Sequence, residues 1–239
     1  MACLSRRLTV ARETRWVFAM SGCIGIASSM YIVRLTELPR ASWREPLVRP
    51  LMAVLRSRAV QQLLVLAVLD GAAILGALTF IPAAVESTGQ NAAIAAGVTA
   101  IFGVAVLAGA RIVGRLSGRI SASVFILAGS AVGAVACALL AFSIHAVAAG
   151  IACALLGIAW ASMHSSLQTW ATEVRPNERS IAVSFFAGSL FAGSAIAAAL
   201  GGPLAERHEF MPLFAYGTLL LVIVGVTGYI ARARWEHQH

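Results

Sequence analysis

Seven apolar runs follow one another along this chain, at about 16–33, 61–84, 91–110, 120–142, 145–166, 180–202 and 211–231. A helix needs roughly 20 apolar residues to cross the ~30 Å hydrocarbon core of a bilayer, and each run is near that length. Only 12% of the residues are charged, about half the share found in a soluble domain. Strands are excluded, because open sheet edges cannot face lipid and the runs show no alternating polarity. The reading is an all-α, polytopic membrane bundle of about seven transmembrane helices. The fourth and fifth runs nearly merge at "FSIHAV" (Phe142–Val147), which calls for a very tight turn.

The formal net charge is +8, and all eighteen basic residues are arginine. A nucleic-acid partner is rejected, since the arginines fall in short clusters between spans, where membrane topology accounts for them. Segment 34–58 holds six, 85–90 none, 111–119 three, the turn at His145 none, 171–179 two, 203–210 one and the C-terminal end two. Arginine-rich loops lie on the cytoplasmic side, so the expected protein is a multi-pass protein of the inner (plasma) membrane with a cytoplasmic C-terminus. Parity then puts residues 1–15, with four arginines, outside, against the same rule. Either the first span does not insert as drawn, or the chain begins inside a longer protein. No cleavable signal peptide is expected, because the first run lacks a small-residue cleavage site.

Several chemistries are excluded. A retinal protein needs an intramembrane lysine for its Schiff base, and there is no lysine. No GxSxG or HExxH occurs. In "MHSS" (Met163–Ser166) the histidine and serines are adjacent on a helix and do not face one another. His164 is read as a polar residue near the cytoplasmic end of its helix, reaching headgroups or a cavity. Cys3, Cys23, Cys137 and Cys153 have no ligand-like spacing, and three lie in apolar runs as small apolar residues. No enzyme, cofactor or metal is implied.

One residue breaks the apolar pattern. In "LLVLAVLDGAAILGALTFIP" (Leu63–Pro82) Asp70 stands about nine residues beyond Gln61, roughly 14 Å along a helix and near the bilayer middle. A carboxylate there costs about 2.5–3.5 kcal/mol on insertion scales and faces a cavity, a partner or a proton pathway. Asp70 is a candidate coupling or substrate site; the alternative is a hydrogen-bonded structural group packed against another helix. Gly71, Gly76 and Pro82 permit a bend or local unwinding in the same helix. Gly129 and Gly133 form GxxxG, and with Gly188 and Gly193 they suit close helix packing, or a sliding face. Trp160 lines a cavity only if its face turns inward. Segment 34–58 is expected along the inner leaflet as a short amphipathic or irregular stretch beside anionic lipid.

From Arg56 onward the order of features resembles the C-terminal half of a major facilitator superfamily transporter. "VLRSRAVQQLLVLAVLDGAAILGALTFIPAAVES" (Val54–Ser87) is similar to the seventh helix of bacterial drug-efflux-like members, which often carry an acid followed by glycine, here Asp70-Gly71. "GARIVGRLSGR" (Gly109–Arg119) resembles the second copy of the family's cytoplasmic loop signature, with Gly114, Arg115, Gly118 and Arg119 in place and no acidic member. "SSLQTWATEVRPNERSIAVSFFAGSLFAGSAIAAALGGPLAE" (Ser165–Glu206) resembles the end of the tenth helix, the loop with Glu173, Pro176 and Arg179, and the small-residue eleventh helix. "WVFAMSGCIGIASSMYIV" (Trp16–Val33) then resembles the sixth helix.

The resemblance implies a basic segment at 1–15, the sixth helix at 16–33, a cytoplasmic linker at 34–58, a six-helix half at 59–232 and a cytoplasmic tail at 233–239. It implies a secondary active transporter of a small molecule, with proton-coupled efflux through Asp70. It also implies a cytoplasmic gate network of Arg115, Gly118, Arg119, Glu173 and Arg179. Helices one to five are not in the chain, so the expectation is a truncated form whose partners are the lipid bilayer, a small-molecule substrate, protons, and a missing N-terminal half or second membrane subunit. The alternative is a non-transporting membrane fragment or helical interaction partner.

Overall fold

The computed structural model describes residues 48–238, together with Ile26 and Met30. The chain divides into two compact units, Met1–Pro46 and Leu47–His239. In the first, Ile26 and Met30 are helical and exposed; the rest of the expected span at 16–33 lies outside the described residues. In the second, α1 (Val48–Arg56) precedes six helices of membrane length. These are α2 (Arg58–Ser87), α3 (Ala92–Leu116), α4 (Ala122–Phe142), α5 (Ala146–Glu173), α6 (Pro176–Glu206) and α7 (Phe210–Glu236). There is no strand among the described residues.

The connections explain the antiparallel order. Asn91 caps α3, its side chain accepting from the Ile94 N–H at 2.9 Å, and Gly89 just before it takes φ 87°, a backbone region open to glycine at little cost. The tight turn at Phe142–Val147 closes because His145 is the N-cap of α5, Nδ1 accepting from the Ala148 N–H at 3.1 Å. Two side-chain contacts bring the start of α4 and the ends of α5 and α7 to one end of the bundle: Ser123 with Glu236, and Glu173 with Arg232. This is called the arginine end below.

Helix α5 runs on through "SSLQTWATE", seven residues beyond the expected limit at 166. Polarity marks membrane depth, not helix termination. The hydroxyls here donate back to carbonyls one turn earlier, Ser165 to Ala161, Ser166 to Ser162 at 2.7 Å and Thr169 to Ser165 at 2.9 Å, so polar side chains need no other partner. Helix α1 is a regular helix inside the expected linker, with Val54 buried against Val60 and Ala182.

Packing follows the small residues, as it does where apolar lipid removes the hydrophobic drive between helices. Helix α4 lies along α7, α3 along α5, and α2 along α6. A Cβ on Gly129 would meet the Met163 backbone nitrogen at 2.6 Å, and one on Gly133 would meet Ala159 and Leu221 at 3.2 Å, so this face of α4 touches α5 and α7 directly. Gly193 of α6 lies against the Val68 carbonyl of α2, and Gly71 of α2 against the Leu190 carbonyl of α6. Gly76 approaches Ala197, whereas Gly188 has open space. The apolar stretches of α2 and α5 are the most buried, at 56% each, and those of α3 and α6 the least, at 17% and 22%.

Candidate functional site

The two most buried helices carry the two most buried polar side chains that face each other. Asp70 of α2 is wholly buried and His164 of α5 is 6% exposed. His164 Nδ1 lies 2.7 Å from Asp70 Oδ2, a charge-assisted distance. The second carboxylate oxygen, Oδ1, has no hydrogen-bond partner among the described residues. Of the two destinations expected for His164, headgroups or a cavity, it does not take the first, and turns inward to Asp70. It sits nine residues inside the true end of α5, about 13 Å from it, because the helix continues to Glu173.

The backbone departs from α geometry where the pair meets. A π-helical turn, Gly71–Leu75, begins immediately after Asp70. A second, Trp160–His164, ends on its partner. Such turns carry one residue too many for the i→i−4 ladder and are enriched at functional positions. In α2 the turn is bracketed by Gly71 and Gly76, and Pro82 lies nearly two turns further, inside the continuing helix. An aromatic sleeve holds the imidazole: Trp160 stacks on it at 3.7 Å and 16°, and Phe186 of α6 lies at 5.6 Å. Phe102 of α3 meets Trp160 edge-on at 6.2 Å. Four helices thus converge on one acid–imidazole pair. Chemically it can hold one shared proton between Nδ1 and Oδ2 and accept another at the carboxylate, changing its net charge by one.

The other sequence-derived residues lie elsewhere. Arg115, Gly118 and Arg119 are exposed at the arginine end, and no ion pair among the described residues includes them. Arg179 donates from Nε to the Thr172 carbonyl at 3.2 Å, linking the ends of α5 and α6. Glu173 pairs with Arg232 instead of these arginines, at 2.7 Å. Arg232 also donates to Glu236 at 3.0 Å, while the Ser123 hydroxyl donates to Glu236 at 2.8 Å. Its guanidinium lies 4.5 Å from the Trp235 ring centre and 5.7 Å from that of Trp170.

Arg232 is the tie between α4, α5 and α7 that sequence reasoning passed over as one more topology-setting arginine. The signal was present, since Glu236 follows it at the helical i+4 spacing. Removing Arg232 by Arg232→Met is expected to destabilise the bundle by about 1–2 kcal/mol, read as a lower Tm in detergent. Both glutamates are partly exposed, so their loss of a partner is screened, and most of the effect comes from the stacked guanidinium. Arg232→Lys should recover little of it, because an ammonium lacks the planar fork.

A bundle of six membrane-length helices makes this a multi-pass membrane protein. Residues 2–198 match the family model of the Major Facilitator Superfamily, and the chain belongs to that superfamily. It is a transporter of the major facilitator type, acting on a small molecule at the lipid bilayer. No curated protein matches the chain.

Proposed function

We propose that the protein is a proton-coupled exporter in which Asp70 and His164 form the coupling site. The observation that carries this reading is the 2.7 Å acid–imidazole contact buried between α2 and α5. Ionisable groups at membrane depth are costly and mark proton or substrate pathways. Here the cost is offset by mutual pairing, yet one carboxylate oxygen has no partner among the described residues. A proton arriving at Asp70 weakens its hold on His164, and the pair lies where two π turns leave the helix ladders slack. Protonation and helix movement are coupled through that contact.

Alternating access in this type of fold comes from rocking one repeat against another around a midplane site. The poorly buried faces of α3 and α6 are the surfaces we assign to the second half, supplied by the same or another polypeptide. We assign the arginine end to the cytoplasm from the bias of arginine between loops, and the protein to the inner membrane. Arg115, Arg119, Glu173 and Arg179, beside Gly118, are assigned to the rim of the cytoplasmic gate, with Arg232 holding Glu173 on the closed side. The role is transport, with no catalytic step.

Infrared difference spectroscopy of the purified protein tests the coupling site without a substrate. A carboxyl band that comes and goes with pH is expected in the wild type and missing in Asp70→Asn, and His164→Gln should displace its midpoint. Superimposable pH-difference spectra for wild type and Asp70→Asn would remove Asp70 as the proton carrier.

A further inference from the structure

A groove of about 1000 Å³ opens between α2 and α7, away from the acid–imidazole pair. At its mouth stand Arg58, near the start of α2, and Arg234, near the end of α7. Eleven residues deeper on each helix the wall is apolar, at Leu69 and Ile223, with Val65 between Arg58 and Leu69. Eleven residues of helix span about 16 Å, close to half the ~30 Å hydrocarbon core. The groove is therefore one leaflet deep, cationic at the headgroup level and apolar below it.

No described side chain of opposite charge lines the groove. The two glutamates at this end, Glu173 and Glu236, are both held by Arg232. We infer that this groove is a binding site for an anionic phospholipid, its phosphate held between Arg58 and Arg234 and an acyl chain laid along Val65, Leu69 and Ile223. Gln62 at the mouth supplies amide donors to the same headgroup, and Trp235 sits beside it as an interfacial aromatic.

The test uses the full chain in nanodiscs carrying a trace of brominated phosphatidylglycerol or brominated phosphatidylcholine, with tryptophan fluorescence as the readout. The Trp235 signal is isolated as the difference between wild type and Trp235→Phe. Quenching by the anionic lipid is expected at about 30-fold lower mole fraction than by the zwitterionic one, the preference that two arginines near a charged surface confer. Arg58→Gln/Arg234→Gln should abolish that preference, and Arg111→Gln, an exposed charge on α3, should leave it intact. Three results would overturn the assignment. The first is a preference that survives in the double variant. The second is suppression of the preference by inorganic phosphate, which would make the site one for soluble anions. The third is a Trp235 signal that neither lipid quenches, as when protein fills the groove.

Discussion

In proteoliposomes, Asp70→Asn is expected to reduce solute-driven proton movement to the protein-free background while leaving the protein folded. Asparagine is nearly isosteric and keeps an oxygen within reach of His164 Nδ1, but it cannot take up or release a proton. An internal pH dye measures the flux, and thermal unfolding in detergent measures the fold. Coupled transport persisting in Asp70→Asn would sink the coupling role. His164→Ala should act differently. It leaves a fully buried carboxylate with neither oxygen paired among the described residues, and stranding a buried acceptor costs about 1–3 kcal/mol, more where it is charged. Removing both partners, as in Asp70→Ala/His164→Leu, is expected to recover much of that loss, because no unpaired charge remains. A double variant no more stable than His164→Ala would show that packing against Trp160, not the charge pair, sets the site's stability.

Gly71→Ala is expected to be the most damaging single-methyl change in the bundle. The new Cβ would overlap the Leu190 carbonyl of α6, and the next nearest atoms are also Leu190 backbone. A flexible side chain could yield; a helix backbone cannot. The two helices must separate, which also lifts α6 from Val68, where Gly193 makes the reciprocal contact. The cost belongs at the upper end of overpacking, about 3 kcal/mol or more. Gly188→Ala, on the same α6 but with nothing nearby, should instead stabilise by roughly 0.5–1 kcal/mol through the better helix propensity of alanine. Thermal unfolding of the two variants side by side decides the matter, and equal effects would mean that α2 and α6 are not held at backbone contact. Because Gly71 is also the first residue of the π turn next to Asp70, the substitution should disturb the infrared carboxyl signal as well.

The linear chain announced the bundle plainly. Crossing a bilayer demands a local, one-dimensional property, an uninterrupted apolar length, and six of the seven runs coincide with described helices. Asp70 was visible for the same reason, as a charge where none belongs. Its partner was not. His164 lies 94 residues away, in a stretch whose serines and threonines resemble a helix end until their hydroxyls are seen bonding to their own backbone. Nothing local in "WASMH" distinguishes a π turn from an α turn. The helix-tying role of Arg232 was hidden likewise, since an arginine near a membrane surface satisfies the topology rule whatever it touches.

The sequence by itself thus determined where the six described helices cross, which ends are basic, and that one acid stands inside an apolar run. Tertiary structure alone decided how each helix is turned about its axis. That rotation is settled by the contacts of Gly71, Gly129 and Gly193 with neighbouring helices, because in lipid the outside of a helix is as apolar as its inside and hydropathy cannot choose a face. Once α2 and α5 are turned that way, Asp70 meets His164, and an isolated charge becomes a pair that can carry a proton.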